Sequence, residues 1–357
     1  MKVKVVVGSS YGDEGKGLVS GCLAREAILN NKEKVLTVFF NGCNQRAHTF
    51  ENVIRHTLAA GEAYGSDTFY HRMFVVDPIM LWLSKSTPII DPRCRVIFPC
   101  DVLYGQSREK QLQHGSCGFG LFAAVKRCKN TLAPFEVNDF FLPDMYFYPY
   151  VQRTDSYYNY EPNEIHNLSN FLKAVKWVKE NCKIDTFENI AAKNLYDTII
   201  FEGGQGLLLD QENLDDFPHL TPSSTGAFNI HQDIEKLNVV PDLFYVSRSY
   251  ITRHGRGPMN MECGYEDINP TIIDTTNQTN NWQGSLRFGK IDLAKLYKRI
   301  KGDAARYNCE KNINLVFTHL NYTNNKIETT NGRASIEKPD FVKQIWGSDK
   351  KDFMEKL

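Results

Sequence analysis

The feature that most constrains the fold is a glycine-rich loop placed directly after a short apolar run near the N-terminus. Residues 4–7 are typical of a buried strand, and a helix-compatible segment begins at Leu18. Between them lies Gly8-Ser9-Ser10-Tyr11-Gly12-Asp13-Glu14-Gly15-Lys16-Gly17. Glycines let backbone N–H groups converge on phosphate oxygens, and the start of a helix favours negative charge. The loop therefore predicts a strand–loop–helix unit that binds the phosphates of a nucleotide.

Two departures separate this loop from the common phosphate-binding pattern. That pattern ends in Gly-Lys followed by Ser or Thr, whose hydroxyl meets Mg²⁺, whereas Gly17 follows Lys16 here. Asp13 and Glu14 are unusual in an anion site, so we interpret them as a sign that a carboxylate there holds a metal ion or moves a proton. The alternative is a tight turn without a ligand, which leaves the two carboxylates and the lysine without a purpose.

Short apolar runs alternate with amphipathic segments along the chain. The runs predict strands at 4–7, 34–39, 95–98, 198–201, 243–246 and 314–318, and helices are predicted at 167–181 and 292–306. The strand runs are nearly continuous in apolar residues, as in strands covered on both faces. This order predicts an α/β fold with a mostly parallel central sheet, helices on both faces and a phosphate-binding-loop type of nucleotide site.

Composition narrows the classes of partner. The 42 Lys and Arg residues balance 42 Asp and Glu residues among 357, so we expect neither nucleic acid nor a membrane as a partner. The nine cysteines are scattered without a C-x-x-C pair, which favours reduced thiols and a cytoplasmic location. Because no linker is visible, we expect one catalytic α/β domain over 1–357 with insertions. Residues 135–162, rich in aromatics and proline, predict an irregular surface excursion or subunit contact.

Three further polar segments follow or flank the predicted strands. Residues 41–49 end in His48-Thr49, where an imidazole could act as a general acid or be a buried structural side chain. Gln205 lies among glycines at 203–206, either at a ligand site beyond a strand end or in a simple turn. The hydroxyl-rich segment 216–226 is of a kind that binds phosphate.

Together these segments resemble the adenylosuccinate synthetase family. The resemblance is collinear from residue 4 to about 325, and it is most similar to the short archaeal and phage branch. The motifs that carry it are Tyr11-Gly12-Asp13-Glu14-Gly15-Lys16-Gly17 (W-G-D-E-G-K-G in the family), Arg46-Ala47-His48-Thr49 (A-G-H-T), Gly115-Ser116-Cys117-Gly118-Phe119-Gly120 (G-T-T-G-R-G), Phe201-Glu202-Gly203-Gly204-Gln205-Gly206 (F-E-G-A-Q-G), Tyr250-Ile251-Thr252-Arg253-His254-Gly255-Arg256-Gly257-Pro258 (Y-x-T-R-x-G-x-G-P) and Arg287-Phe288-Gly289-Lys290-Ile291-Asp292 (R-x-G-x-x-D).

The resemblance implies a two-step ligation. A nucleoside triphosphate would phosphorylate the 6-oxygen of a purine nucleoside monophosphate, and the amino group of L-aspartate would then displace that phosphate. Asp13 would take the N1 proton, His48 would donate to the transferred oxygen, Lys16 would neutralise charge and Gln205 would hold the purine.

The resemblance also implies a set of binding residues. The triphosphate would be bound by Gly12, Asp13, Glu14, Gly15, Lys16, Gly17, Ala47, His48, Thr49, Thr318, His319 and Asn321, and the purine nucleotide by Ser116, Cys117, Arg127, Gln205, Thr221, His254 and Gly255. Aspartate would be bound by Arg287 and Ser285, and Mg²⁺ by the Asp13 carboxylate and the Ala47 carbonyl. The protein would be a homodimer, with Arg127 serving the neighbouring subunit's site, in the cytoplasm or, if phage-encoded, the host cytoplasm.

Three departures from the family pattern bear on the substrates. Ser285 replaces an arginine expected in the aspartate loop, and Ala47 replaces a glycine. Thr318-His319-Leu320-Asn321 stands where the family has T-K-L-D, whose aspartate accepts two N–H groups of guanine. The guanine loop that follows, S-x-G-P-x-R, is reduced to Trp346-Gly347-Ser348-Asp349-Lys350. The side-chain amide of Asn321 can also donate a hydrogen bond to adenine, so a strict preference for GTP is not expected.

Several alternatives remain open from the sequence. The acceptor could be IMP, giving adenylosuccinate, or dGMP, giving 2-aminoadenylosuccinate with ATP or dATP as donor. A GTPase-like switch is a different class, disfavoured by His48, Gln205 and the predicted aspartate loop. A nucleotide-binding protein without catalysis is a third class, disfavoured because Asp13 and Lys16 are present as well.

Overall fold

The computed structural model describes residues 1–161, 163–226, 229–259, 261–273, 282, 284–306, 312–348 and 354–357. Cys309, one of the nine cysteines, and Asp349 and Lys350 of the reduced guanine loop lie outside them. Within the described residues, no helix combines the length and apolar character that crossing a bilayer requires. The eight described cysteines are free thiols.

Helices and strands alternate through most of the chain. The helices are α1 Lys16–Arg25, α2 Pro78–Ser84, α3 Pro99–Leu112, α4 Leu121–Lys129, α5 Asp144–Asp155, α6 Leu168–Asn181, α7 Phe187–Ala192, α8 His231–Lys236, α9 Tyr265–Ile268 and α10 Leu293–Ala305. The strands are β1 Lys2–Gly8, β2 Val35–Phe39, β3 His48–Phe50, β4 Val53–Arg55, β5 Asp67–Tyr70, β6 Val75–Val76, β7 Ile89–Ile90, β8 Arg95–Val96, β9 Lys183–Ile184, β10 Thr198–Gly206, β11 Asp242–Arg248, β12 Ile251–Arg253, β13 Glu262–Cys263, β14 Arg287–Gly289, β15 Ile313–Thr318, β16 Ile327–Thr329, β17 Gly332–Ala334, β18 Gln344–Gly347 and β19 Glu355–Lys356.

Ten of these strands form one sheet in the order β19-β18-β15-β11-β1-β10-β2-β5-β7-β9. All its described pairings are parallel except that of β18 with β19. β1 lies at the centre, between β10 and β11, so the loop after it emerges at the carboxyl edge among the ends of several strands. In an open parallel sheet this edge is where ligands bind.

Both faces of the sheet are covered, as the apolar runs predicted. Alternate residues of β1 enter two different cores: Val5 and Val7 lie in a cluster with Leu296 and Ile300 of α10. Val6 packs on the other face in a cluster with Leu23 of α1. Strands buried on both sides cannot alternate apolar with polar residues, which explains their nearly continuous apolar runs. The predicted fold class is confirmed.

The two predicted helices form with clear start signals. The helix predicted at 167–181 is α6, and the side chain of Asn167 accepts a hydrogen bond from Asn170 N at 2.7 Å. The helix predicted at 292–306 is α10, where Asp292 accepts from Lys295 N at 3.0 Å. Both residues satisfy N–H groups that the first helical turn leaves without partners.

Two sequence expectations about the fold were wrong. The strand predicted at 95–98 is only the two-residue β8, paired with β6 outside the main sheet, because α3 begins at Pro99. Residues 135–162 are not an irregular surface excursion, since they contain α5, and Phe135, Phe147 and Val151 are buried in a core cluster with α6. Pro149 within α5 obscured the helical pattern, since proline in a helix interior removes a backbone hydrogen bond.

Candidate active site

The loop between β1 and α1 is built around the side chain of Glu14. Its Oε1 accepts from the N–H groups of Ser10 (3.0 Å) and Gly12 (2.9 Å), and its Oε2 accepts from Lys16 Nζ at 2.6 Å. The carboxylate is buried beneath the loop and does not reach the cavity above it. Its approach requires a glycine on β10, because a Cβ at Gly206 would lie 2.4 Å from Glu14 Oε1. Glu14 therefore shapes the loop, and the expectation that it contacts the triphosphate directly is not supported.

Asp13 lies on the outer side of the same loop with a left-handed backbone (φ 56°) and lines the cavity. Its Oδ2 lies 3.0 Å from His254 Nε2, and its carbonyl accepts from Arg248 Nε at 2.5 Å. Burial acts to raise the pKa of Asp13, but the bond to His254 and the positive charges of Arg248 and Lys16 outweigh it and lower the pKa. Asp13 is thus ionised at neutral pH, as a proton acceptor or metal ligand must be.

His48 belongs to a buried cluster with Arg46 and Glu202. The Arg46 guanidinium and His48 Nδ1 both contact the Glu202 carboxylate, which is fully buried on β10. Arg46 also lies over the ring of Phe39, 3.4 Å from its centroid. Burial, together with the charges of Arg46 and Lys16, lowers the pKa of His48 well below its usual value. The imidazole is therefore neutral, with one ring nitrogen able to donate and the other to accept.

Gln205 lies at the carboxyl end of β10 and lines the cavity opposite the phosphate loop. Its amide is wedged against Gly42, where a Cβ would lie 2.7 Å from Nε2. Among the described residues its buried Oε1 has no hydrogen-bond partner. A buried amide oxygen without a partner is destabilising unless a ligand supplies a donor. Gln205 is thus arranged to receive a polar group.

The predicted phosphate residues Ser116, Cys117 and Thr221 line the cavity on two loops that lie against it. Cys117 Sγ donates to Gln45 Oε1 at 2.5 Å. Burial raises the pKa of Cys117 to about 11, so the thiol keeps its proton and can act as a donor. The three predicted residues are therefore brought together.

Arg127 is not brought to the cavity. Its Nε and Nη2 donate to the two carboxylate oxygens of Asp101 at 2.9 and 2.7 Å, and Nη2 also donates to Val96 O at 2.9 Å. Its side chain is 2% exposed. A buried carboxylate is strongly destabilising unless a cation pairs with it, and Arg127 is the cation that pairs with Asp101 at the start of α3. The expectation that Arg127 binds the 5′-phosphate, here or in a neighbouring subunit, is not supported by this arrangement.

Arg287 and Ser285 also lie away from the cavity lining. Arg287 forms a two-point pair with Glu262 at 2.7 and 2.5 Å, and its Nη1 donates to the carbonyls of Gly255 and Gly257 at 2.7 Å each. Ser285 is exposed, and Gly255 packs against Gly115 without lining the cavity. Most of the predicted aspartate loop, at 274–281, lies outside the described residues.

At the end of β15 the predicted base-reading residues Thr318, His319 and Asn321 line the cavity. Thr318 Oγ1 donates to Glu14 O at 2.7 Å, which ties this strand end to the phosphate loop. The His319 ring lies nearly parallel to that of Tyr322, with planes 21° apart. Asn321 is exposed beside them, so an aromatic surface and an amide edge lie together at this end of the site.

The cavity that these residues surround has a volume of about 590 Å³. Ligand pockets commonly measure about 300–1,000 Å³. Of the predicted triphosphate residues, Gly12, Gly15, Gly17, Ala47 and Thr49 also line it, with Lys16 beneath. Sequence reasoning missed Arg46, His114, His219 and Arg248, which line it too. Arg46 and His219 lie within recognised segments and His114 and Arg248 lie next to them, but no pattern marked these side chains as cavity residues.

Comparison with known sequences places these motifs in context. A family model described as adenylosuccinate synthetase matches residues 5–302. The adenylosuccinate synthetase of Clostridium botulinum (strain Alaska E43 / Type E3) is 27% identical over 296 residues, covering 73% of this chain and 66% of the relative. That of Buchnera aphidicola subsp. Baizongia pistaciae is 26% identical over 291 residues, covering 72% and 65%. The match thus spans just under two thirds of the length of these relatives.

Two solved structures share the fold. Fully ligated adenylosuccinate synthetase from Plasmodium falciparum is similar with a TM-score of 0.73 and 16% identity, covering 100% of this chain and 88% of that one. Cyanophage S-2L succinoaminodeoxyadenylate synthetase, bound to dGMP and dATP as an energy donor, is similar with a TM-score of 0.62 and 15% identity, covering 90% and 85%. At these identities the likeness establishes the architecture alone.

Proposed function

This chain belongs to the adenylosuccinate synthetase family, and from that premise we propose that it is a purine-nucleotide ligase. It would join the amino group of L-aspartate to C6 of a purine nucleoside monophosphate in a reaction driven by a nucleoside triphosphate. The observation that carries the proposal is that an ionised Asp13, Lys16, His48 and Gln205 all border one cavity at the carboxyl edge of the sheet. They come from three segments that are far apart in the chain, and a purely structural role would not require these segments to converge.

In the first step the Asp13 carboxylate accepts the N1 proton of the purine. The 6-oxygen becomes nucleophilic, its bond to the γ-phosphorus forms, the bond from that phosphorus to the bridging oxygen breaks, and the diphosphate leaves. Asp13 suits this role because its lowered pKa keeps it ionised before the purine arrives. Gln205 contributes by holding the purine through its wedged amide.

His48 and Lys16 act on the transferred phosphoryl group. Arg46 donates to His48 Nδ1, so the neutral imidazole carries its proton on Nε2 and donates it in a hydrogen bond to a phosphoryl oxygen. Lys16 is held 2.6 Å from Glu14, so its ammonium is positioned before substrates bind. Donors that are already oriented toward developing charge are the main source of catalysis in phosphoryl transfer.

In the second step the aspartate amine attacks C6 and inorganic phosphate leaves. We propose that Arg287 binds a carboxylate of aspartate, which requires it to exchange its present pair with Glu262 for the substrate. A planar guanidinium can make the same two-point contact with either carboxylate. Ser285 would add a hydroxyl contact from the same segment.

Magnesium is the cofactor implied by this proposal. Mg²⁺ is commonly held by one or two carboxylates together with substrate phosphates. The ionised Asp13 and the carbonyl of Ala47, which borders the cavity, fit such a donor set. Within the described residues, no group of three His, Cys, Asp or Glu side chains forms a dedicated metal cage. Bound there, Mg²⁺ would neutralise phosphate charge.

The acceptor is IMP or dGMP, and the donor is proposed to be less strictly GTP than the family motif implies. The support is Asn321, an amide at the cavity edge where the family has an aspartate that reads guanine. An amide can present a donor to adenine as well as an acceptor to guanine. The structurally similar cyanophage enzyme was solved with dGMP and dATP bound, so dGMP and dATP should be tested together as acceptor and donor.

The deciding experiment incubates the protein with Mg²⁺ and L-aspartate, crosses IMP and dGMP with GTP, ATP and dATP, and identifies products by mass. We expect a succinyl-amino purine nucleotide, inorganic phosphate and nucleoside diphosphate in equal amounts. Asp13→Asn should abolish product, whereas Asp215→Asn, an exposed neighbour of the site, should not. Triphosphate hydrolysis that is unaffected by aspartate and gives no ligated product would instead favour the GTPase-like switch.

A further inference from the structure

Two loops that border the cavity carry the same short pattern and meet through their histidines. One is His114-Gly115-Ser116 and the other is His219-Leu220-Thr221. The imidazole centroids are 5.1 Å apart with ring planes at 41°, and His219 Nδ1 lies 3.4 Å from His114 O. Both rings and both hydroxyl residues line the cavity. Each imidazole thus stands two residues before a hydroxyl that we assign to the 5′-phosphate.

Arg127, the cation that the sequence predicted for the 5′-phosphate, is not among the described residues that line the cavity. Arg127 is held by Asp101 in the protein interior. Arg253, the next cation, donates to Asp216 Oδ2 at 2.9 Å and to His219 O at 3.0 Å, so its charge is already used. A phosphate dianion is bound weakly without positive charge at its oxygens. The imidazole pair, beside Arg108 of α3, is placed to add positive charge there.

We propose that His114 and His219 together bind the 5′-phosphate of the purine nucleoside monophosphate and take up a proton as it binds. The proposal rests on the proposed function for the identity of the nucleotide. It adds a proton-dependent phosphate contact at residues that the family motifs do not mark.

The surroundings favour a neutral His114 in the absence of an anion. Burial and the neighbouring His219 lower the pKa of His114. The charged side chains beside the pair are Arg108 and Glu109 from α3 and Arg253 with its partner Asp216, and the backbone N–H of Arg256 donates to His114 O. Glu109 already accepts from the N–H of Gly115. A phosphate bound between the rings would favour protonation instead, because its negative charge stabilises an imidazolium.

The experiment measures binding of IMP and dGMP, and of inosine and deoxyguanosine, by titration calorimetry at about pH 7.5 in two buffers of different ionisation enthalpy. The phosphate is already a dianion at this pH, since its second pKa is about 6, so any proton taken up belongs to the protein. The test variant is the double substitution His114→Gln and His219→Gln. The control is His166→Gln, a partly buried histidine outside the cavity lining.

We expect the wild type and the control to take up between about 0.5 and 1 proton per monophosphate bound, and the double variant to take up none. The Kd of the double variant for the monophosphate should rise about 10- to 100-fold, as loss of charge-assisted hydrogen bonds predicts. The Kd for the nucleosides should not change. Equal thermal midpoints for the variants would exclude misfolding as the cause.

Binding without proton uptake, or a double variant within about twofold of the wild-type Kd, would overturn the proposal. Failure of either monophosphate to bind the wild type would overturn this proposal and the proposed function together. Proton-linked binding that disappears in the double variant, combined with no ligated product, would leave the phosphate site standing and reject the ligase alone.

Discussion

At the scale of single residues, Asp13 combines an uncommon backbone with an unusually acidic carboxyl. Its left-handed φ of 56° turns the side chain out of the loop, while Glu14, the next residue, is turned in. Two adjacent carboxylates therefore serve opposite purposes: one shapes the loop and the other faces the ligand. The loop pattern showed only that both were unusual, whereas the family resemblance assigned proton transfer and magnesium binding to Asp13 alone.

Asp13→Asn should lower kcat by about 10²–10⁴-fold, because the amide keeps the size of the side chain but cannot accept a proton. Steady-state rates of product formation measure this. The control is Asp215→Asn, an exposed carboxylate nearby, which should keep wild-type rates. Retention of a tenth of the wild-type kcat by the Asp13 variant would rule out its role as proton acceptor.

Asn321→Asp should shift donor preference toward GTP by about 10-fold, equivalent to about 1.4 kcal/mol. A carboxylate accepts two N–H groups from guanine through charge-assisted bonds that an amide cannot match. Values of kcat/KM for GTP and ATP, measured side by side for both proteins, check the shift. A wild type that already favours GTP a hundredfold would contradict this reading of Asn321.

At the scale of elements, buried ion pairs hold helices in position against neighbouring parts of the chain. Asp101 at the start of α3 and Arg127 in α4 form one such pair, with two hydrogen bonds of 2.9 and 2.7 Å. Asp233 of α8 accepts from Arg72 at 2.9 and 2.8 Å, and lies 3.1 Å from His71 Nε2. The first pair joins two helices, and the second joins α8 to the segment that follows β5.

Arg127→Met should destabilise the protein by about 3–5 kcal/mol, because Asp101 would be left buried without its partner. Urea unfolding measures the loss, and Lys129→Met, an exposed position on the same helix, should change stability by less than about 0.5 kcal/mol. The KM for the monophosphate should stay near the wild-type value. A raised KM with unchanged stability would restore the phosphate role expected from the sequence.

Asp233→Asn should destabilise the protein by about 2 kcal/mol at neutral pH. Burial acts to raise the pKa of Asp233, but its bonds to His71 and Arg72 outweigh it and lower the pKa to about 2. Because the folded pKa lies below the unfolded one, the contribution is complete above about pH 5 and disappears as the pH falls toward about 2.

Urea unfolding of both proteins at pH 7, 5 and 3.5 checks this dependence. The difference in free energy of unfolding between them should be equal at pH 7 and 5 and smaller at pH 3.5. A difference that grows on acidification would show that the carboxylate is not stabilised by its partners.

At the scale of the whole molecule, the ten-stranded sheet connects residues from both halves of the chain. One core cluster contains Val3 and Ile345, and a second contains Phe39 and Val178. β2 contributes to both, since Phe39 lies in the second cluster and Val38 in the first. Strands shared between clusters make separate unfolding of either one unfavourable.

We therefore expect a single cooperative unfolding transition, which tests whether residues 1–357 form one domain. Trp82 and Trp177 pack against the second cluster, and Trp346 packs against a third one beneath α1. Variants that retain fluorescence only from Trp177 or only from Trp346 should give the same midpoint as far-ultraviolet circular dichroism. Midpoints that differ between the two probes would indicate two domains.

The sequence by itself determined the class of fold and the position of the phosphate loop. Both depend on local patterns: continuous apolar runs are typical of strands covered on both faces, and clustered glycines next to Lys16 predict an anion site in a short segment. The family motifs likewise marked Asp13, His48 and Gln205, which the structure brings to one cavity.

Only the tertiary structure decided which long charged side chains reach that cavity. Arg127, Arg287 and Glu14 were all expected to bind substrates, yet each is bound within the protein by a partner from another segment or by the loop itself. His114 and His219 carry no motif, yet they meet on the cavity wall from positions 105 residues apart. A long charged side chain pairs with whichever opposite charge the fold brings within its reach. In the low-dielectric interior this pairing is strong, so it decides the position of the side chain whatever role the local sequence predicts.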